Sequence, residues 1–176
     1  MVKQPGVKLG LTFDGNRKVI RSILIATLLL VSFVVRSQIL VYPDDRRVFT
    51  DMLLNVKDGA LIMGNATFTT DAVVTIRDNR IYRGWSTSTF DLLYTIRDGK
   101  VYPVDSNFSG DILYTIEDGK VYRGNSNFDL DLRYTLRRDS VYKEQSISTF
   151  DRVCFIQGRF SEAEYFAILL ALELLE

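Results

Sequence analysis

Asp51, Asp71, Asp91, Asp111, Asp131 and Asp151 recur every 20 residues, and the residues between them rhyme. Leu92-Leu93-Tyr94-Thr95-Ile96-Arg97-Asp98-Gly99-Lys100-Val101-Tyr102 returns as Ile112-Leu113-Tyr114-Thr115-Ile116-Glu117-Asp118-Gly119-Lys120-Val121-Tyr122. A fixed period of this length marks a repeat architecture, in which one small unit is copied and each copy buries its apolar face against its neighbours.

The chemistry of one unit predicts its shape. From Asp91 onward, period-2 alternation sends Leu92, Tyr94 and Ile96 to one side of a strand and Leu93, Thr95 and Arg97 to the other. Asp98-Gly99, Asp118-Gly119, Asp58-Gly59 and the variant Asp78-Asn79 then supply pairs that tolerate positive φ, as a two-residue hairpin turn requires. Such a turn fixes the register, opposing Arg97 to Lys100, Ile96 to Val101 and Thr95 to Tyr102. Tyr94, Ile96 and Val101 thus form the core face, and Thr95, Arg97, Lys100 and Tyr102 a polar, tyrosine-bearing face.

Turn signals near residues 58, 78, 98, 118 and 138 give five hairpins, the last with degraded turn chemistry at Arg138-Asp139. Half-units flank them. Val41-Tyr42-Pro43 repeats Val101-Tyr102-Pro103, so the chain enters the repeat on a second strand, while Val153-Cys154-Phe155-Ile156 is a first strand with no second after it. Pairing these orphans closes a ring and removes both exposed sheet edges, whereas an open solenoid capped by them is the alternative. The expected fold is therefore all-β: a ring of five or six 20-residue β-hairpins closed by the terminal strands, spanning 38–160, with a short apolar C-terminal helix in 161–176. In the linkers, Phe90 and Phe150, or Phe68, Phe108 and Phe128 two positions earlier, read as plugs between neighbouring hairpins. Gly64, Gly84 and Gly124 read as bends.

Ser161 is a candidate helix N-cap, and Glu162 and Glu164 suit the positive end of the helix dipole. The helix is apolar on most sides. That predicts docking over one end of the ring or self-association with a second copy, with membrane contact as the other reading.

Residues 1–37 read as a leader. Arg17, Lys18 and Arg21 precede an apolar run from Ile23 to Val35, and Val35-Arg36-Ser37 offers permissive residues for a cut after Ser37. The expectation is a periplasmic or secreted protein; an uncleaved anchor through residues 19–35 is the alternative.

The signal-like run, the immediate half-unit, the Asp-Gly hairpins, the unpaired last strand and the apolar terminal helix together resemble the five-fold beta-flower proteins of bacterial envelopes. The resemblance covers residues 23 to 176. It implies a radial ring of hairpins, export across the inner membrane and no established activity. The chain departs from that pattern in its tyrosines and Asn-Phe linkers, and closure by the termini would add a sixth blade.

The sequence contains no histidine, which removes the commonest general base and metal ligand, and the balanced formal charge gives no footprint for nucleic acid. Cys154, the single cysteine, reads as a small core residue. The expectation is a non-enzymatic structural or binding protein with no cofactor. Around a ring, the six aspartates could line one rim and hold calcium, but an aspartate before a strand ordinarily accepts hydrogen bonds within its own turn. Tyr82, Tyr102, Tyr122 and Tyr142, with Trp85 nearby, form a second ladder able to stack on sugars or quaternary ammonium groups, so a cell-wall or carbohydrate-binding module is the alternative function. Inter-blade packing is the plainer reading of those tyrosines.

Overall fold

The computed structural model describes residues 38–172. The expected leader, its cut after Ser37, the anchor at 19–35 and residues 173–176 lie outside the described residues. Twelve strands run in order: β1 (Ile39–Tyr42), β2 (Leu54–Lys57), β3 (Ala60–Met63), β4 (Ala72–Arg77), β5 (Arg80–Arg83), β6 (Leu92–Arg97), β7 (Lys100–Pro103), β8 (Tyr114–Glu117), β9 (Lys120–Arg123), β10 (Leu132–Arg137), β11 (Ser140–Lys143) and β12 (Arg152–Gln157). Helix α1 (Glu162–Ala171) follows.

The strands form one closed antiparallel barrel in which every strand neighbours its sequence successor and β1 pairs with β12. Five blades are tight hairpins. The sixth is built from the two ends of the domain, with Leu40 opposite Gln157, Val41 opposite Ile156 and Tyr42 opposite Phe155. The predicted register holds: Thr95 faces Tyr102, Ile96 faces Val101 and Arg97 faces Lys100. Asp58, Asp98 and Asp118 and the glycines after them all have positive φ, as do Asp78 and Asn79, whereas of the pair Arg138–Asp139 only Arg138 is left-handed. Gly59 has a second reason to lack a side chain. A Cβ there would lie 2.5 Å from the Ile76 carbonyl oxygen of the next blade.

Each turn also stitches its blade to the next. The carbonyls of Gly59, Asn79, Gly99, Gly119 and Asp139 accept from the amides of Ile76, Ile96, Ile116, Leu136 and Ile156 at 2.6–2.8 Å. These contacts satisfy backbone groups that a lone hairpin would leave open.

Simple alternation fails at the start of the first strand of a unit. Tyr82 pairs with Leu92 while Ile81 pairs with Tyr94, so one extra residue is inserted at Leu93. Directly opposed residues share a face, and the bulge therefore turns Leu92 away from Tyr94 to the outer, tyrosine-bearing face. The same shift recurs where β3 meets β4, β9 meets β10 and β11 meets β12.

The core lies inside the ring. Val41, Leu54, Leu61, Ile81, Val101, Val121, Val141 and Ile156 are buried there together with the helix residues Ala163, Tyr165, Phe166, Ala167, Ile168 and Leu169. Phe166, Ala167, Ile168 and Leu169 are each 0% exposed. Four successive residues cover nearly the full circumference of an α-helix, so α1 is surrounded by the ring on all sides and does not lie across its mouth. The Phe166 ring meets Tyr94 edge-on at 5.5 Å and Tyr114 at 5.6 Å. A helix apolar all round finds its burial inside its own ring. A capping box closes its N-terminus: the Glu164 amide donates to Ser161 Oγ, and the Ser161 amide donates to the Glu164 carboxylate at 2.8 Å. Among the described residues no helix is long and apolar enough to cross a membrane.

Candidate functional site

Antiparallel connection puts all the hairpin turns at one end of the barrel and all the linkers at the other. Each linker ends in a short 3-10 turn whose last residue is the repeated aspartate: Phe49–Asp51, Thr69–Asp71, Thr89–Asp91, Ser109–Asp111, Asp129–Asp131 and Thr149–Asp151. The aspartates serve these turns. Ser86, Ser106, Ser126 and Ser146 donate their hydroxyls to Asp91, Asp111, Asp131 and Asp151 at 2.5–2.6 Å. The same serine oxygens accept the amides of Ser88, Phe108, Phe128 and Ser148. A carboxylate so engaged orders its own loop, and among the described residues no three acidic side chains gather where they would hold a metal. The serine five residues before each of these aspartates was visible in the repeat and is the signal for this latch.

The outer face is held by a second latch. The Thr75, Thr95, Thr115 and Thr135 hydroxyls donate to the carbonyls of Gly84, Val104, Gly124 and Glu144 at 2.6–2.8 Å, and Asn55 does the same toward Gly64. Each acceptor is the left-handed residue that bends the chain out of the second strand. Phe155 occupies the sixth equivalent place. It is buried with Tyr42 and Met52, and the Arg47 guanidinium stands 4.7 Å over its ring.

These threonines and the bulge decide what becomes of the tyrosine ladder. Tyr82 lies between Thr75 and Leu92, and Tyr122 between Thr115 and Leu132, leaving them 7% and 5% exposed. Tyr102 and Tyr142 are half-buried, with Arg97 5.8 Å over the Tyr102 ring and Arg152 opposite Tyr142. The ladder is thus inter-blade packing at two positions and offers no continuous stacking face. Trp85 stands apart from it in a linker, 56% exposed.

The linker phenylalanines are not plugs. Phe90 and Phe150 are almost wholly in water, and Phe49, Phe68, Phe108 and Phe128 are each well exposed. Leu130 and Ile147 join them, so every one of the six linkers projects at least one large apolar side chain into solvent at the same end of the barrel. The reason is local. The 3-10 turn, joined by the Ser–Asp latch in four of the six linkers, fixes the linker by polar contacts, and two of the inter-blade junctions are filled by tyrosine on leucine.

The six-fold layout agrees with comparison to known families. Residues 41–169 match the family model described as 6-fold beta flower protein. The chain belongs to the six-fold beta-flower family. No curated protein and no solved structure matches it. The five-fold resemblance is thereby raised to six, and the added blade of this beta flower is the one made by β1 and β12. Its single cysteine lies in that blade's wall, where burial pushes the Cys154 thiol up to about 12. Burial also raises the Tyr165 phenol inside the ring.

Proposed function

We propose that this beta flower is an exported, non-enzymatic binding or scaffolding protein of the cell envelope, and that its contact surface is the linker rim. Export is supported by the basic residues and apolar run ahead of the ring. A non-catalytic role is supported by the absence of histidine, by the deep burial of Cys154 and by the use of four of the repeated aspartates as loop latches. The observation that carries the choice of surface is the exposure of Phe90, Leu130 and Phe150, at 95–98%, on a scaffold that buries two tyrosines of its other aromatic ladder and half-buries the other two. Isolated exposed apolar residues are ordinary, but a set repeated on six loops at one end is a contact site. Envelope polymers and further protein copies are the partners this rim would meet after export, and it needs no cofactor.

Mass spectrometry and sedimentation of the protein recovered from cells test both parts. A chain starting at Gln38 in the envelope fraction is expected, as is a smaller sedimenting species for Phe90→Ser/Phe150→Ser. A cytoplasmic chain with its leader intact overturns export. Identical sedimentation together with identical binding to vesicles and envelope fractions by the two proteins overturns the rim.

A further inference from the structure

We infer that the rim is covered by a second copy of this chain, docked linker end to linker end. The inference rests on the rim being the contact surface and adds the identity of what covers it. Area gives the first argument. At roughly 200 Å² per fully exposed aromatic side chain, Phe49, Phe68, Phe90, Phe108, Phe128 and Phe150 together present roughly 900 Å² of apolar surface. A stable protein–protein interface takes about 800 Å² from each partner, which these side chains alone supply.

Layout gives the second. Successive linkers are two strands apart, or roughly 10 Å along the barrel wall, so the apolar residues form a collar around the whole end of the barrel. A helical peptide is about 10 Å across and would cover a chord of that collar, leaving the rest in water. A second ring carries the same collar. Turned over about a two-fold axis perpendicular to the barrel axis, it meets the first with the same patch on both sides, as a symmetric dimer requires.

Charge weighs against an anionic bilayer. The linkers carry Asp44, Asp45, Asp105, Asp129 and Glu144 beside the six repeated aspartates; against them stand Arg46 and Arg47 on the first linker and the exposed Arg83, Arg123 and Lys143 at the strand ends that feed the linkers, and Asp44, Asp45 and Asp105 are ion-paired with Arg46, with Arg152, and with Arg80 and Arg97. Membrane-seated apolar surfaces are ordinarily bordered by lysine and arginine, which meet anionic headgroups. A border that stays net acidic with those basic residues counted attracts such headgroups only weakly. Two copies of this rim also repel each other through those carboxylates, so the association is driven by apolar contact and tightens as salt screens the charge.

Light scattering on the purified exported protein, across concentration and from low to molar salt, reads the result directly. Two copies at micromolar concentration are expected, with the dissociation constant falling as salt rises. Phe90→Ser/Phe150→Ser is expected to give one copy with an unchanged circular dichroism spectrum; Leu130→Ser provides a second rim variant. A single copy under all conditions overturns the inference, as does a dimer that survives both variants or that salt dissociates. If the wild type is a single copy yet floats with zwitterionic vesicles in a Phe90- and Phe150-dependent way, the rim stands as contact surface and a bilayer replaces the second copy. If it neither self-associates nor binds vesicles or envelope fractions through those residues, the inference and the rim fall together.

Discussion

Val41 stands opposite Ile156 in an antiparallel ladder, so the first and last strands of the domain complete one another. Both side chains are fully buried in the same core as the helix. A linear array of hairpins would fray first at its outer strands, because these would lack a neighbour on one side. Closure predicts instead that amides of β1 and β12 exchange in the same slow class as those of β6. Hydrogen exchange followed by mass spectrometry checks this, and exchange of the terminal strands orders of magnitude ahead of β6 would speak for an open array.

Val104 holds φ +50°, a left-handed conformation that costs a β-branched residue about 1–2 kcal/mol. Equivalent places in other blades carry Gly64, Gly84 and Gly124. Thr95 anchors the Val104 carbonyl at 2.6 Å, and a substitution at 104 keeps that bond. Val104→Gly should stabilise the ring by about 0.5–1 kcal/mol after the greater chain entropy of glycine is deducted. Thermal unfolding should show this as a rise of about 2–4 °C. No change, or a fall, would mean that the left-handed valine is relieved in some other way.

Cys154 is fully buried in the wall of the sixth blade, and its thiol is pushed up to about 12 from the ordinary 9.0 because burial disfavours the thiolate. The unfolded thiol titrates first as pH rises. The contribution of this group is therefore whole below about pH 9 and is lost progressively up to about pH 12. Native protein should react with a thiol reagent only through opening of the ring, at a rate far below that of the denatured chain. Rapid native labelling would show that the sixth blade opens locally. Comparing urea unfolding of wild type and Cys154→Ala at pH 8 and pH 11 isolates the linkage. The stability difference between them should shrink at the higher pH.

Much of the scaffold was legible in the sequence because hairpin turns are local: Asp98-Gly99 fixes a register by itself, and the half-units at Val41 and Val153 announce their own pairing. The inner face followed from period-2 alternation. The misread residues depend on what neighbouring blades leave open. Leu92 changes face because Leu93 is inserted against Tyr82 of the preceding blade, an event that alternation within one strand does not encode. Phe90 reads as a plug by composition, yet its place beside Tyr82 is taken by Leu92, and the Ser86–Asp91 bond holds the linker without it. Apolar character in α1 predicted burial but not depth, because the width of the ring is set only once all twelve strands are counted. The Thr95 latch escaped the sequence reading for a related reason: the left-handed bend it holds at Val104 appears only when the second strand ends.

Trp85, the only tryptophan, lies with Phe90 on one linker, whereas Tyr102 and Tyr142 lie on the outer wall. The two candidate surfaces can therefore be read in one experiment. Hydroxyl-radical footprinting compares the protein in intact cells with the purified protein diluted until it is a single copy. The account predicts strong protection of Trp85, Phe90, Leu130 and Phe150 in cells, with Tyr102 and Tyr142 unchanged. Equal oxidation of the rim in both states, or protection confined to the tyrosines, would contradict it.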